Sequence, residues 1–315
     1  MKNYIVYWFV LMSATIFGQA THEAGLVSDN DLYISLKRDQ YYTNGIEIFY
    51  RSLGAVTTAK RAKTIYEFKM GQYMYNPQTA QPKNIHYHDR PYAGYLFAQA
   101  GRNHFYRDES VFKINFQLGT LGPASGAEQL QEGIHKLLGY KKVIGWEYQI
   151  QSTLGAQIQL FYSRKLLPKI ANQKIDFNWH AKADLGTIWD GFTTGFTTRI
   201  TLADPLLPVY NSGLYGAAMN AASQEAGEKK EFYFFITPTV KYQLYDATIQ
   251  GSLFNDNSPL TYGIKPWRFF AEAGLKYRKN NWNLSYSYIY KSLEPINNAV
   301  KSHRYGSIAA SYLWN

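Results

Sequence analysis

The chain of 315 residues contains no cysteine, which excludes disulfide bonds, thiolate zinc sites and cysteine nucleophiles together. After residue 20 it has no run close to the roughly 20 apolar residues of a membrane-spanning helix, so a helical membrane protein is excluded. Charged residues are few, at 18%, but hydrophobic residues reach 46%, and that proportion excludes a disordered chain. Tyrosine is abundant, with 28 residues.

The charges are unbalanced, with 33 Lys and Arg against 23 Asp and Glu, a net charge of +10. Such an excess indicates an anionic partner, and nucleic acid, a phosphorylated lipid or a membrane surface would each satisfy it.

The first twenty residues have the order of a secretory signal peptide. Lys2 supplies a positive start, an apolar run follows from Ile5 to Met12, and small residues stand at Gly18 and Ala20. We therefore predict a signal peptide over residues 1–20, cleaved near Ala20, and one exported domain over residues 21–315. A buried N-terminal helix is the alternative interpretation.

Many segments of the exported part alternate between apolar and polar residues. Trp282, Leu284 and Tyr286, for example, alternate with Asn283 and Ser285, as expected of a strand with one polar face. A soluble sandwich shows the same period. Three features favour a transmembrane barrel: aromatic residues crowd the strand ends, the segments are about ten residues long, and the chain ends in an alternating strand that contains Trp314.

The sequence thus predicts an all-β fold, an antiparallel outer-membrane β-barrel of about twelve strands. The predicted strands are 25–36, 44–53, 64–75, 93–104, 111–121, 147–163, 173–187, 191–203, 231–245, 266–279, 281–292 and 302–314. An even number places both termini on the periplasmic side. The connection over 204–230 is long for a periplasmic turn.

The predicted outer loop over 122–146 breaks the strand pattern. Ser125 and Glu128 have the spacing of a capping box, and Gly139 suits a helix C-cap. Between them runs an amphipathic helix that carries Gln131 and His135 at i, i+4 spacing. Two more polar clusters, Asp29-Asn30-Asp31 and residues 39–45, lie at the same outer rim by the strand order.

Five strings in this order carry a specific resemblance: SDNDLY, DQYYTNGI, HDRPYAGYLF, LGTLGPASGAEQLQEGIHKLLG and GWEYQ. Together they resemble the outer-membrane lipid A 3′-O-deacylase family (LpxR-like) over most of residues 28–150. The resemblance implies a twelve-stranded barrel with a calcium-dependent site between the outer barrel wall and a loop helix. It also implies that Asn30, Asp31, Thr43, Gln131 and His135 match the family's site residues.

The residue types suit ester hydrolysis. A histidine titrates near neutral pH, so His135 can act as the base that activates water. Asp31 is a hard oxygen ligand for Ca²⁺, which can polarise an ester carbonyl. Gln131, one turn before His135, can orient the imidazole or the water. The motifs place no serine as a nucleophile, which favours direct attack by water.

The remaining predicted site residues have supporting parts. Asn30 and Thr43 can donate hydrogen bonds to the oxyanion or hold the metal loop, and Lys83 in the second outer loop can contact a lipid phosphate. Asp29 departs from the family pattern, which has Glu or a small residue before the Asn-Asp pair, and its carboxylate could alter the choice of metal.

Two other interpretations stay open. An outer-membrane phospholipase is also a calcium-using barrel of twelve strands, but it needs a Ser–His pair that the sequence does not place convincingly. A small porin or surface-binding barrel without catalysis is the other. The spacing of His86, His88 and Asp89 invites a metal site, but we favour an ion pair between Asp89 and Arg90 in the lumen wall.

The expectation is therefore a bacterial outer-membrane esterase. It would act as a monomer on lipid A, the anionic anchor of lipopolysaccharide in the outer leaflet. Nucleic acid is not an expected partner.

Overall fold

The computed structural model describes residues 20–34, 41–56, 58–78, 82–140, 142–167, 174–220, 230–297 and 301–315, with the side chains of Thr43 and Leu138 left aside. The predicted signal peptide lies, apart from Ala20, outside the described residues, as do Asp39 and Gln40 of the first outer loop. No helix within these ranges is both long and apolar enough to span a membrane.

The described residues form twelve strands and two short α-helices. The strands are β1 (His22–Asn30), β2 (Tyr41–Gly54), β3 (Arg61–Asn76), β4 (Ala93–Tyr106), β5 (Ser110–Leu121), β6 (Thr153–Lys165), β7 (Ile175–Gly186), β8 (Trp189–Thr201), β9 (Lys230–Asp246), β10 (Trp267–Lys279), β11 (Trp282–Ser292) and β12 (Ser302–Trp314). The helices are α1 (Ala127–Leu138) and α2 (Ala247–Gln250).

Each strand pairs antiparallel with the next, and β1 pairs with β12 to close the barrel. The closing register runs from His22 opposite Trp314 to Asn30 opposite Gly306. The predicted fold class is confirmed. The largest differences are at two strand ends. β1 ends at Asn30, because a 3-10 helix over Asp31–Tyr33 follows it, and β6 begins at Thr153, because residues before it form a 3-10 helix over Trp146–Tyr148.

Side chains alternate between the lumen and the lipid-facing wall, as the period of two requires. Apolar side chains on the wall are exposed, among them Ile48, Phe68 and Phe116. The lumen face carries charge: Arg51 Nη1 lies 3.1 Å from Glu23 Oε2. The strands therefore present an apolar surface outward and an ionic surface inward.

Aromatic packing closes the outer half of the lumen. Tyr42, Tyr75, Tyr95 and Tyr305 belong to one buried cluster there, and the Tyr42 and Tyr305 ring centroids are 4.7 Å apart. Among the described residues, this layer narrows the lumen at its outer end.

The long connection after β8 closes the periplasmic half. Its Val209, Ala217 and Met219 are fully buried against Ile65 and Phe105 of the barrel wall. The described part of the long predicted periplasmic connection is therefore a plug. A lumen packed at both ends does not favour the porin interpretation.

Buried cations of the wall hold this plug. Lys63 Nζ lies 2.9 Å from both Ala217 O and Asn220 Oδ1, and Lys113 Nζ donates to Tyr215 O at 2.8 Å. The wall thereby satisfies plug carbonyl groups that have left water.

A buried ion pair between β7 and β8 also contacts the plug. Arg199 Nε lies 3.1 Å from both carboxylate oxygens of Asp176, and Arg199 Nη1 donates to Ser212 Oγ of the plug at 2.8 Å. Both charged side chains are completely buried, so each depends on the other for compensation.

We predict that Asp176→Ala lowers the free energy of unfolding by about 3–5 kcal/mol, because it removes the hydrogen-bonded carboxylate from the buried Arg199 and leaves Glu231, at 3.9 Å, as the remaining acid within ion-pair distance among the described residues. Urea unfolding in detergent, followed by the heat-modifiable shift of the folded barrel on gels, measures the loss. The surface pair of Lys142 and Glu132 supplies the control. Lys142→Ala should unfold at the same urea concentration as the wild type. Equal midpoints for both variants would show that the buried pair contributes nothing.

Candidate active site at the outer rim

The outer end of β1 is shaped by a side-chain cap. Asn30 Oδ1 accepts the Leu32 backbone N–H at 2.8 Å and starts a 3-10 helix over Asp31–Tyr33. That helix ends β1 earlier than predicted and leaves Asp31 only 3% exposed. A backbone N–H only donates, so the atom of Asn30 that meets it is the oxygen. The NH₂ group of Asn30 is what remains to be offered to a ligand.

Thr43 is the extra residue of a β-bulge. Tyr42 pairs with Tyr75 and Asn44 with Met74, which leaves Thr43 without an opposite residue. Bulges re-aim side chains next to active sites, although the direction of the Thr43 side chain lies outside the described part of the structure. Asn44 also pairs with Asn30 of β1. Thr43 therefore lies on β2 next to the residue that is opposite Asn30.

The residue before the bulge carries backbone strain. Tyr41 has φ of +57°, a region that costs a non-glycine residue on the order of 1 kcal/mol or more. Its hydroxyl donates to Asp89 Oδ2 at 2.8 Å, and its ring meets the edge of His303. These contacts stabilise the start of β2 and offset the cost of the positive φ.

Asp29 turns away from this rim. Its Oδ2 accepts the Tyr42 hydroxyl at 2.8 Å, and Tyr42 belongs to the lumen cluster. Because neighbouring strand residues face opposite sides, Asn30 points to the outer face of the wall. The extra carboxylate noted in the sequence therefore lies on the other side of the wall from Asn30.

Helix α1 lies on the outer face of the wall, over β3 and β4. Met74 packs with Tyr92, Ala127 and Trp146 in a cluster separate from the lumen cluster. Gly94 makes this approach possible, because a Cβ there would lie 2.2 Å from Ser125 Oγ and 2.3 Å from Ala127 Cβ.

The two ends of α1 are glycines. The predicted capping box is wrong: the N-cap is Gly126, with φ of +67° and no side-chain hydrogen bond, because Ser125 is used in a preceding 3-10 helix over Pro123–Ser125. The predicted C-cap at Gly139 is confirmed, with φ of +73°.

Gln131 is held on the wall side of α1 by two donors. Trp146 Nε1 donates to Gln131 Oε1 at 2.8 Å, and Asn76 Nδ2 donates to the same oxygen at 3.3 Å. An indole N–H only donates, which identifies the oxygen of Gln131 without ambiguity. In Gln131, as in Asn30, the side-chain oxygen accepts a hydrogen bond, so the NH₂ group is the part that can donate to a ligand.

The remaining predicted residues belong to the same outer loops. His135 stands one turn after Gln131, is partly buried, and meets Tyr140 edge to face with ring centroids 5.6 Å apart. Lys83 is exposed, and its carbonyl accepts the Tyr148 hydroxyl at 3.1 Å. Asn76, the partner of Gln131, pairs with Tyr41 on β2, so Gln131 lies one strand from the Thr43 bulge.

The oxygen atoms near the Thr43 bulge fit a hard cation such as Ca²⁺. Asn44 Oδ1 and Asn76 Oδ1 are buried and accept no hydrogen bond from the described residues, and the Asp31 carboxylate lies at the end of the neighbouring strand. Among the described residues, no three His, Cys, Asp or Glu side chains group to hold a metal. Calcium, however, also takes amide oxygens. Sequence reasoning placed Asn44 in the polar cluster over 39–45 but assigned it no role, because Asn44-Gly45 is equally typical of a hairpin. It did not identify Asn76.

The segment over His86–Arg90 differs from the prediction. Arg90 Nη1 lies 2.9 Å from Glu294 Oε2, so the expected Asp89–Arg90 pair is replaced by a partner 204 residues away. Asp89 accepts from Tyr41 and from the Gln78 backbone instead. His88 is buried and bonds to Pro82 O at 2.7 Å, a role in loop structure.

A closed antiparallel barrel with an apolar wall and a helix packed outside its rim defines a bacterial outer-membrane β-barrel protein. The family model for "Outer membrane protein LpxR" matches residues 5–314. The chain therefore belongs to the LpxR family of the bacterial outer membrane, as the motifs indicated.

One solved structure supports this fold, and a second aligns with it more weakly. LpxR from Salmonella typhimurium aligns with a TM-score of 0.74 and 18% identity, over 93% of this chain and 100% of that one. The β domain of the Bordetella autotransporter BrkA aligns with a TM-score of 0.47 and 9% identity, over 93% of this chain and 99% of that one. No curated protein sequence matches the chain.

We predict that Gly94→Val displaces α1 from the wall, because any Cβ at this position would overlap Ser125 and Ala127. Limited proteolysis should cut residues 122–146 several times faster, while the folded barrel keeps its heat-modifiable gel shift. Gly133→Ala in the same helix is the matched control, since nothing lies within 4 Å of the added Cβ. Identical cleavage rates in the two variants would contradict the inferred close contact between α1 and β4.

Proposed function

We propose that the protein hydrolyses ester-linked acyl chains of lipid A, with its site in the seam between the outer wall and α1. Membership of the LpxR family supports this substrate class. The site faces the leaflet in which lipid A resides, so the substrate reaches it laterally. The cleaved chain is proposed to be the one at the 3′ position, on the resemblance alone.

The orientation of two amides carries the proposal. Asn30 and Gln131 each have their oxygen engaged by an obligate donor, the Leu32 backbone and the Trp146 indole respectively. Each therefore presents an NH₂ group. Fixed donors of this kind stabilise the oxyanion that forms when water attacks an ester.

In the proposed reaction, His135 accepts a proton from water as the water oxygen attacks the ester carbonyl carbon. The carbonyl oxygen becomes an oxyanion and accepts hydrogen bonds from Gln131 and Asn30, with Thr43 as a further donor at the bulge. When the tetrahedral intermediate collapses, the C–O bond to the sugar breaks and His135 returns its proton to the leaving alkoxide. The products are a free fatty acid and an alcohol.

A calcium ion is proposed to be held by Asp31, with Asn44 and Asn76 as further oxygen ligands. When bound, it would supply positive charge that polarises the ester carbonyl. Lys83 is exposed on the neighbouring loop, where its ammonium group can meet a lipid A phosphate.

We predict that His135→Ala lowers turnover of lipid A by about 10²- to 10⁴-fold, the usual contribution of a general base. Purified barrel is incubated with lipid A and Ca²⁺, or with a chelator, and the released acyl chain is followed by mass spectrometry. His86→Ala is the control, since His86 is an exposed histidine of the same outer loops. Full activity in the His135 variant would remove this residue from the mechanism, and intact acylation in the wild type under every metal would overturn the proposed activity.

Gln131→Glu tests the donor role of the amide. The substitution keeps an oxygen for the Trp146 N–H but replaces the NH₂ group with a second carboxylate oxygen. We expect kcat to fall by about 10²- to 10³-fold, as for loss of one oxyanion donor, with little change in KM. Gln129→Glu, on the exposed face of the same helix, should leave kcat unchanged. Equal kcat for wild type and the Gln131 variant would contradict the donor role.

A further inference from the structure

Basic side chains gather on the lipid-facing wall at the opposite end of the barrel. Lys60, Arg102, Arg107 and Arg164 are all exposed, and strand pairing brings them together: Arg107 N bonds to Lys60 O, and Arg164 pairs with Ser110. We call these four residues the periplasmic basic patch. Among the described residues of the 107–110 turn, Asp108 is the exposed acid, and Ser110 already donates to it.

A cleft of about 820 Å³ opens beside this patch, between the turns that contain Lys60 and Arg107. Its floor is aromatic, with Tyr106, Phe112 and Tyr162 in the lining. Phe112 pairs directly with Tyr162 across β5 and β6. The cleft thus combines an apolar base with a mouth that carries two cations, Lys60 and Arg107, and one carboxylate, Asp108.

Arg102 marks how far the charge extends along the wall. It lies four residues inside the end of β4, and its guanidinium stands over the Tyr66 ring, 5.6 Å from the centroid. A lipid-facing arginine costs little near the interface and up to about 2–4 kcal/mol at the bilayer midplane. An anionic group at this depth would compensate the charge.

We propose that this cleft binds an anionic diacyl glycerophospholipid of the periplasmic leaflet. The phosphate meets Lys60 and Arg107, whose charges complement it, and the acyl chains lie along Phe112 and Tyr162. The patch and the candidate active site are at opposite ends of the strands, so this proposal does not depend on the enzymatic one.

Native mass spectrometry of the purified barrel in detergent tests the proposal, with phosphatidylglycerol as probe and phosphatidylcholine as the zwitterionic comparison. We expect phosphatidylglycerol to stay bound and phosphatidylcholine to dissociate. The double variant Lys60→Gln/Arg107→Gln should bind about 25-fold more weakly, at about fivefold for each basic residue near an anionic lipid. Equal retention of the two lipids by the wild type would overturn the proposal.

Two controls separate the patch from general charge and from turn structure. Lys174→Gln/Lys279→Gln removes two exposed lysines at the same end of other strands and should bind like wild type. Arg107→Lys keeps the charge but loses the contact from Arg107 Nε to Ala59 O, 3.0 Å long, and should also bind like wild type. If the Lys174/Lys279 variant weakens binding as much as the Lys60/Arg107 variant, attraction is diffuse and no site exists.

Discussion

The hydrogen bonds between β1 and β12 turn a curved sheet into a cylinder, and every other feature presupposes them. In hydrocarbon an unpaired strand edge has no water to satisfy it, so a spanning sheet must close. The candidate site lies at this closure. Asn30, the last residue of β1, is opposite Gly306 of β12, and a Cβ on that glycine would lie 2.7 Å from Tyr33 Cβ. The closing strand therefore makes room for the turn that carries Asp31.

Strand alternation then separates structural charges from the candidate chemistry. Asp29 faces inward and Asn30 outward, although they are neighbours in sequence. On the inner side, Glu294 lies 2.9 Å from Arg90 and 3.6 Å from Arg268. Burial alone would raise the pKa of Glu294, but Lys291, His303 and Arg90 together hold that pKa well below its usual range. Glu294 therefore stays ionised and ties the outer loops to the wall from inside, on the side of the wall opposite the candidate site.

The sequence allowed the fold to be predicted well because a period of two is a local property. It also identified Asn30 and Gln131 as candidates through their motifs. It could not reveal that Trp146 orients Gln131, since that contact depends on how the loop returns to the wall. The predicted capping box was wrong because the glycine after Ser125 adopts a positive φ. The predicted Asp89–Arg90 pair was wrong because the partner of Arg90 is Glu294, which is distant in the chain.

A closed lumen and a site on the outer wall are consistent with each other. A substrate that arrives sideways from the outer leaflet never needs the interior, so the interior can be filled with aromatic rings and a plug. The filling packs against the inner side of the wall, and the wall carries Asn76 and leads into the Leu32 turn. Asn30 and Gln131 then have their oxygens engaged before any lipid binds. In the proposed reaction their donor groups would need no reorganisation as charge develops on the ester, which is the condition under which hydrogen bonds contribute most to catalysis.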